Sequence, residues 1–190
     1  VGREDRVRAT MAQIGLSDPG GIEVHNARLS TNNKKYTEFL YKRTQRKGAL
    51  YRDCQRLVNQ DRNVFAACMV ASGDADAMVT GLTRSLAVCL DDITKVIDPQ
   101  PGKRLFALAM VIAANRTVFI ADTSVHELPS AEELADIAVQ TAAKARALGH
   151  EPRVALLSFS NFGNPNREKA QRIREAVEIL DRRNVDFEYD

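Results

Sequence analysis

The sequence predicts an α/β fold built on a mostly parallel sheet with one antiparallel hairpin. Three observations carry this reading. From residue 75 onward, short apolar runs alternate with longer segments of helical period. Two apolar runs, Leu105 to Ala113 and Thr117 to Ala121, flank Ala114-Asn115-Arg116, the tight connection of a hairpin. Val154 to Ser158 is almost wholly apolar, as in a strand covered on both faces.

Taken in order, residues 3–14 read as a short helix with Val7, Met11 and Ile14 on one face and Gly15 as its stop. Asp18-Pro19-Gly20-Gly21 is a turn cluster, and Ile22 to Val24 fits a short strand. Ser30 is placed to cap a helix that carries Tyr36, Phe39 and Leu40 inward and ends at Gly48. Asp61 is placed to cap the next, which buries Val64, Phe65, Cys68 and Met69 and stops at Gly73.

Ala75 to Thr80 reads as a short strand ending at Gly81, followed by a helix from about Thr83 with Leu86, Leu90, Ile93 and Ile97 at helical spacing. Pro99 and Pro101-Gly102 break it. After the hairpin, Ser130 and Glu133 form a capping box for a helix that reaches Leu148 and stops at Gly149. A polar loop, Ser158 to Asn166, leads into a helix over Glu168 to Arg183, and Val185 to Tyr189 is the last strand. The ends, a first residue that is not Met and a last one just past a strand, are expected to mark a truncated fragment.

Bulk properties exclude several functional classes. The 190 residues carry a net charge of +2, with 44% hydrophobic and 27% charged residues. Basic and acidic residues are interspersed, which argues against a nucleic-acid partner. A local basic run, Lys42, Arg43, Arg46, Lys47, Arg52 and Arg56, fits either a solvated helix face or an anion or subunit contact. Mean hydropathy is −0.30. No run of about 18 apolar residues is present, so no membrane span is expected. Cys54, Cys68 and Cys89 show no metal or disulfide spacing, which points to a reducing cytoplasm.

Neither GxGxxG nor GxxxxGK[ST] occurs, and no metal-ligand motif is visible. His25, His126 and His150 lie far apart. Three polar loops that each follow an apolar run are the candidate sites, because ligands of open α/β sheets gather at strand ends. The first holds Gly81, Thr83 and Arg84; a helix start offers free N–H groups to an anion, and a guanidinium adds a fork of donors. Read more plainly, Thr83 is a helix cap and Arg84 a solvated side chain. The second holds Ser158, Ser160, Phe162 and Asn164, and the third Asp122 and His126. Each also reads as an ordinary loop.

GDADAMVTG, Val96-Ile97-Asp98-Pro99 with Pro101-Gly102, FIADTSVHELPSAEELADIA, EPRVALLSFSNFGNP and DRRNVDFEYD together resemble the phosphate acetyltransferase family. In detail the chain is similar to the version fused behind the catalytic part of bacterial NADP-dependent malic enzymes. The TR after GDADAMVTG carries that likeness, with IEVHNARLS, CQRLVNQDRNVFAACMV and ADTSVHELP. The resemblance implies a two-lobed, three-layer α/β fold with a mostly parallel sheet, of the isocitrate and isopropylmalate dehydrogenase type, paired into dimers. Residues 1–60 would belong to an N-terminal lobe and 61–190 to a second lobe carrying the ligand loops.

Two departures bear on activity. Leu82-Thr83-Arg84-Ser85 stands where the family carries a His/Ser-Thr-Thr segment, and the family's Ser-Arg and Asp motif has no counterpart here. The resemblance therefore implies a non-catalytic module that senses acetyl-CoA, with Gly81, Thr83, Arg84, Asp122, His126, Ser158, Ser160, Phe162 and Asn164 as the expected binding residues. No cofactor or metal is expected within it; NADP and a divalent metal would belong to an upstream malic enzyme catalytic domain. The alternatives are an active phosphate acetyltransferase and an oligomerisation module.

Overall fold

A computed structural model describes residues 1–16, 21–114, 116–159 and 167–190. The chain divides into two compact units, residues 1–98 and 99–190. The division falls after Asp98 and not after residue 60, because the helix that begins at Arg62 shares one core with the helices before it.

The first unit is helical. It contains α1 (Glu4–Gln13), α2 (Asn33–Thr44) continued by a 3₁₀ turn (Gln45–Lys47), α3 (Tyr51–Gln60), α4 (Arg62–Ala71) and α5 (Leu86–Thr94). Its core joins Tyr36 and Leu40 of α2, Cys54 and Val58 of α3, Val64, Phe65 and Cys68 of α4, and Val96 just after α5. Tyr36 and Phe65 meet edge to face, ring centroids 5.2 Å apart, an arrangement that suits the quadrupoles of the two rings. Asp61 caps α4 as expected, its Oδ1 accepting from the N–H groups of Asn63 and Val64 at 2.8 and 3.1 Å. Arg43, from the basic run, pairs with Asp98 and donates to the Lys95 carbonyl.

Several expectations for this unit change. α1 buries none of its residues, and Ile14 is largely exposed. Ser30 does not cap α2; the N-cap is Asn32, whose own N–H donates to the Ser30 hydroxyl. Ala75 to Thr80 is not a strand, nor is Ile22 to Val24. The first of these segments is held by side chains instead of a ladder: Asp74 accepts from Lys35 and Tyr36 at 2.6 and 2.7 Å, and Thr80 donates to Asn63. On α5 the buried line is Cys89 and Asp92, one step around from the Leu86 and Leu90 line, and Leu86 is exposed.

The second unit carries β1 (Leu108–Ala113), β2 (Arg116–Ala121), α6 (Ala131–Ala147), β3 (Arg153–Val154), α7 (Glu168–Arg183) and β4 (Glu188–Tyr189). β1 and β2 form the expected antiparallel hairpin, in register from Leu108 opposite Ala121 to Ala113 opposite Arg116. The Ser130–Glu133 capping box closes the start of α6, and α7 spans the residues that the pattern assigns to it. Beyond α6, Gly149 takes φ +83°, a left-handed conformation that glycine adopts without strain. The core packs Ala135, Ala138 and Ala142 of α6 against Ile179 and Leu180 of α7 and against Phe187.

One continuous, mostly parallel sheet is not what the described residues form. There are two two-stranded sheets, the antiparallel β1–β2 pair and the parallel β3–β4 pair. The β3–β4 pairing runs on past its assigned ends, since Leu156 N–H donates to the Asp190 carbonyl and Asp190 N–H to that of Val154. Nor is the Val154 to Ser158 run covered on both faces: Val154 and Leu156 turn inward, whereas Leu157 is 82% exposed. Alternation along a strand sends successive side chains to opposite faces, and only one face here has a helix against it. No helix among the described residues is long and apolar enough to cross a membrane.

Candidate functional site

In the first unit the loop ahead of α5 presents Gly81, Thr83 and Arg84. The helix starts at Leu86 and not near Thr83, and its cap is Ser85, whose hydroxyl accepts from Val88 N–H. Thr83 is therefore an exposed loop residue. Gly81 has φ +121°, and a Cβ built there would meet nothing. Backbone conformation, not crowding, calls for glycine at this point.

Arg84 is enclosed by carboxylates. Its Nη1 donates to Asp61 Oδ2 and to Asp92 Oδ2, both at 2.6 Å. Asp92 is 5% exposed, and it also accepts from Asn63 Nδ2 at 3.2 Å and from Lys95 Nζ at 3.4 Å. Asn63 in turn accepts from the Thr80 hydroxyl at 2.6 Å. The network ties the loop, the cap of α4 and the buried side of α5 together. Burial raises the pKa of Asp61, but the Arg84 hydrogen bond and the α4 N–H groups outweigh it, so the carboxyl lies below its usual range. Arg84 is raised above its ordinary value, first by its hydrogen bond to Asp61.

A ligand anion approaching Arg84 must therefore compete with two carboxylates already in place. Sequence reading missed Asn63 and Asp92 altogether, and it saw Asp61 only as a cap. The available signal was Asp92 itself, a carboxylate at helical spacing between Cys89 and Val96.

In the second unit the chain leaves β2 into a loop organised by one side chain. The Asp122 carboxylate, 1% exposed, accepts from the N–H groups of Ala107, Ser124, Val125 and His126 at 2.9–3.2 Å. It also binds His126 Nδ1 at 2.6 Å. Burial alone would raise the Asp122 pKa. The N–H of Ser124, the His126 ring and the N–H groups of Ala107 and His126 prevail, and hold the group well below the usual carboxylate range. Thus Asp122 is an ionised acceptor at neutral pH with its lone pairs engaged, which suits loop ordering and not proton abstraction.

The structure brings together Asp122 and His126 among the expected residues. Ser158 is exposed, at the end of the chain segment that continues β3. Ser160, Phe162 and Asn164 lie outside the described residues. Among the described residues, no group of three or more His, Cys, Asp or Glu side chains is placed to hold a metal ion.

Residues 1–190 match the family model described as phosphate acetyl/butaryl transferase. The chain is 55% identical to an NADP-dependent malic enzyme from Rhizobium meliloti, over all of this chain and 25% of that protein. It is 31% identical to a phosphate acetyltransferase from Nitrosomonas europaea, over 94% of this chain and 26% of that protein. Among solved structures it is similar to a phosphotransacetylase from Streptococcus pyogenes, at 28% identity and a TM-score of 0.82, covering 100% of this chain and 57% of the other. The chain thus spans about a quarter of the length of the curated relatives it matches.

Proposed function

The chain belongs to the phosphate acetyl/butaryl transferase family, and we propose that it is the acetyl-CoA-sensing regulatory module of an NADP-dependent malic enzyme. The observation that carries this reading is the engaged state of both charged candidates. Asp122 already accepts five hydrogen bonds, which suits it poorly to taking a thiol proton, and Arg84 is held by two carboxylates; both arrangements support a recognising role over acyl transfer. The likeness to a malic enzyme over the whole chain supports the choice of host protein.

Recognition at Arg84 would have a built-in consequence. An effector phosphate that takes the guanidinium would compete for it with Asp61 and Asp92, and so would loosen the tie between α4 and α5. A ligand shifts an equilibrium only through its unequal affinity for two states, and this exchange supplies the inequality. Gly81 and Thr83 would add backbone and hydroxyl donors beside it. In the second unit, the His126 ring and Ser158 are the corresponding polar groups.

The complete module would adopt the three-layer, mostly parallel architecture of the isocitrate and isopropylmalate dehydrogenase type and pair into dimers. It would work in the cytoplasm, as its three free buried cysteines suit. The upstream region would hold NADP and the divalent metal and carry out malate decarboxylation.

Calorimetry tests the proposal. Acetyl-CoA titrated into the malic enzyme that carries this module should give saturable heat, and Arg84→Ala should weaken binding by about tenfold, the scale of one charge-assisted contact. Absence of heat up to millimolar acetyl-CoA sinks the proposal. Thiol release from acetyl-CoA and phosphate should stay at background; turnover abolished by Arg84→Ala would make the protein a transferase instead.

A further inference from the structure

One buried carboxylate of the first unit is served by two cations, of which only one is closely engaged. Asp92 is 5% exposed, and its Oδ2 accepts from Arg84 Nη1 at 2.6 Å. Its other oxygen, Oδ1, faces Lys95 Nζ at 3.4 Å, longer than a close charge-assisted contact. The same ammonium lies 2.6 Å from Asp91 Oδ2, its main partner. Arg84 reaches Asp92 from the loop before α5, and Lys95 from the residue just past the end of that helix. We propose that Lys95 is a standby counter-charge: when an anion draws Arg84 away, the ammonium moves from Asp91 onto Asp92 and keeps the buried carboxylate paired.

The imbalance between the two aspartates drives the move. The Asp91 side chain is 70% exposed, so its pair with Lys95 is a surface contact worth little in water. Asp92 is buried, and a buried carboxylate stripped of its cation is strongly destabilising. Asn63 Nδ2 still donates to it at 3.2 Å, but a neutral amide replaces a hydrogen bond and not a charge. The step is short: closing 3.4 Å to about 2.8 Å brings Nζ to charge-assisted length. Lysine suits the task, since its flexible stem carries three donors around a point charge, whereas a guanidinium is a fixed fork. The Lys95 backbone is anchored meanwhile, because its carbonyl accepts from Arg43 Nε at 2.9 Å and Arg43 is paired with Asp98.

The other carboxylate on Arg84 has its own provision. Asp61 Oδ1 accepts from the N–H groups of Asn63 and Val64 at the start of α4, where the helix dipole favours negative charge. Asp61 therefore stays compensated without Arg84, and Asp92 is the member that needs a substitute. Lys95 touches no ligand in this scheme; it is a positioning residue that sets how readily Arg84 is released. Its effect on effector binding rests on Arg84 being the effector's contact, as proposed above; its pairing with Asp92 does not.

Two measurements test this, one of them without any effector. Urea unfolding of the chain at pH 7, followed by tyrosine fluorescence, reports mainly the first unit, which holds Tyr36, Tyr41 and Tyr51. Lys95→Met should lower the midpoint at least about twice as far in an Arg84→Met background as in wild type, because only there does Asp92 depend on Lys95. A double variant that does not fold, where both single variants do, gives the same answer. Arg84→Gln serves if Arg84→Met does not fold. Equal midpoint losses in the two backgrounds would overturn the proposal. Calorimetry with acetyl-CoA, on the malic enzyme that carries this module, should show effects of opposite sign. Lys95→Met weakens binding by about tenfold, and Lys95→Arg restores it to within about threefold of wild type. Asp91→Asn, which frees the ammonium, tightens binding by about threefold. A lysine with a purely structural role would not give that reversal. Unchanged affinities in a protein that does bind acetyl-CoA refute the release role of Lys95. Absence of binding in wild type refutes the acetyl-CoA reading instead, and the unfolding comparison then decides whether Lys95 backs Asp92.

Discussion

Replacing Asp122 by alanine is expected to destabilise residues 99–190 by about 3 kcal/mol, because five donors lose one shared, buried acceptor. Four of them are backbone N–H groups in the loop after β2 and in the chain before β1, and three of these four bonds are partly buried. Urea unfolding at pH 7 measures the loss. The sign of its pH dependence follows from the lowered pKa. A carboxyl held below its ordinary value stabilises the fold fully above the unfolded value near 3.9, and that stabilisation fades as pH falls from there toward the folded value. The gap between wild type and Asp122→Ala should therefore be widest at neutral pH and narrow below about pH 4. A gap that stays constant from pH 7 to pH 3 would show that shape, not charge, holds this loop.

Asp92→Ala is expected to cost the first unit about 3 kcal/mol, since it leaves Arg84 and Asn63 facing an empty buried space. Asp61 still pairs with Arg84, which keeps the loss below that of a wholly isolated buried charge. The double variant Arg84→Met, Asp92→Leu should recover part of the stability, because it removes the desolvation cost of both charges while leaving Asp61 with only its helix-cap hydrogen bonds. Calorimetric unfolding of the single and double variants checks this. A single-variant loss under about 0.5 kcal/mol would mean that the network contributes nothing beyond an exposed ion pair.

The elements that were legible in the sequence are those written in local chemistry. Ser130 with Glu133, Asp61 ahead of Val64, and Glu168 to Arg183 with its apolar period all carry their signals within a few residues. The hairpin was legible for the same reason. α3 escaped notice because Arg52, Asp53, Gln55, Arg56 and Asn59 conceal the two positions that matter, Cys54 and Val58, four residues apart. Ala75 to Thr80 misled in the opposite sense: it is apolar enough for a strand, yet Asp74 and Thr80 anchor it at either end through partners on α2 and α4. At the candidate site, Asp122 and His126 lie close in sequence and were found together. Arg84 was found without its partners, because Asp61 lies 23 residues away and no spacing rule joins a loop arginine to an earlier helix cap.

The three cysteines have a kinetic consequence. Cys54, Cys68 and Cys89 all fall within residues 1–98, are at most 3% exposed, and have no counterpart in the second unit. Burial pushes the Cys68 thiol up to about 12, so its reactive thiolate is scarce at neutral pH in the folded chain. A thiol reagent added to the native protein thus reacts only as fast as the first unit opens, and it is blind to the second. The chain carries a clock for the lifetime of one half of itself, written in sulfur and readable without any label.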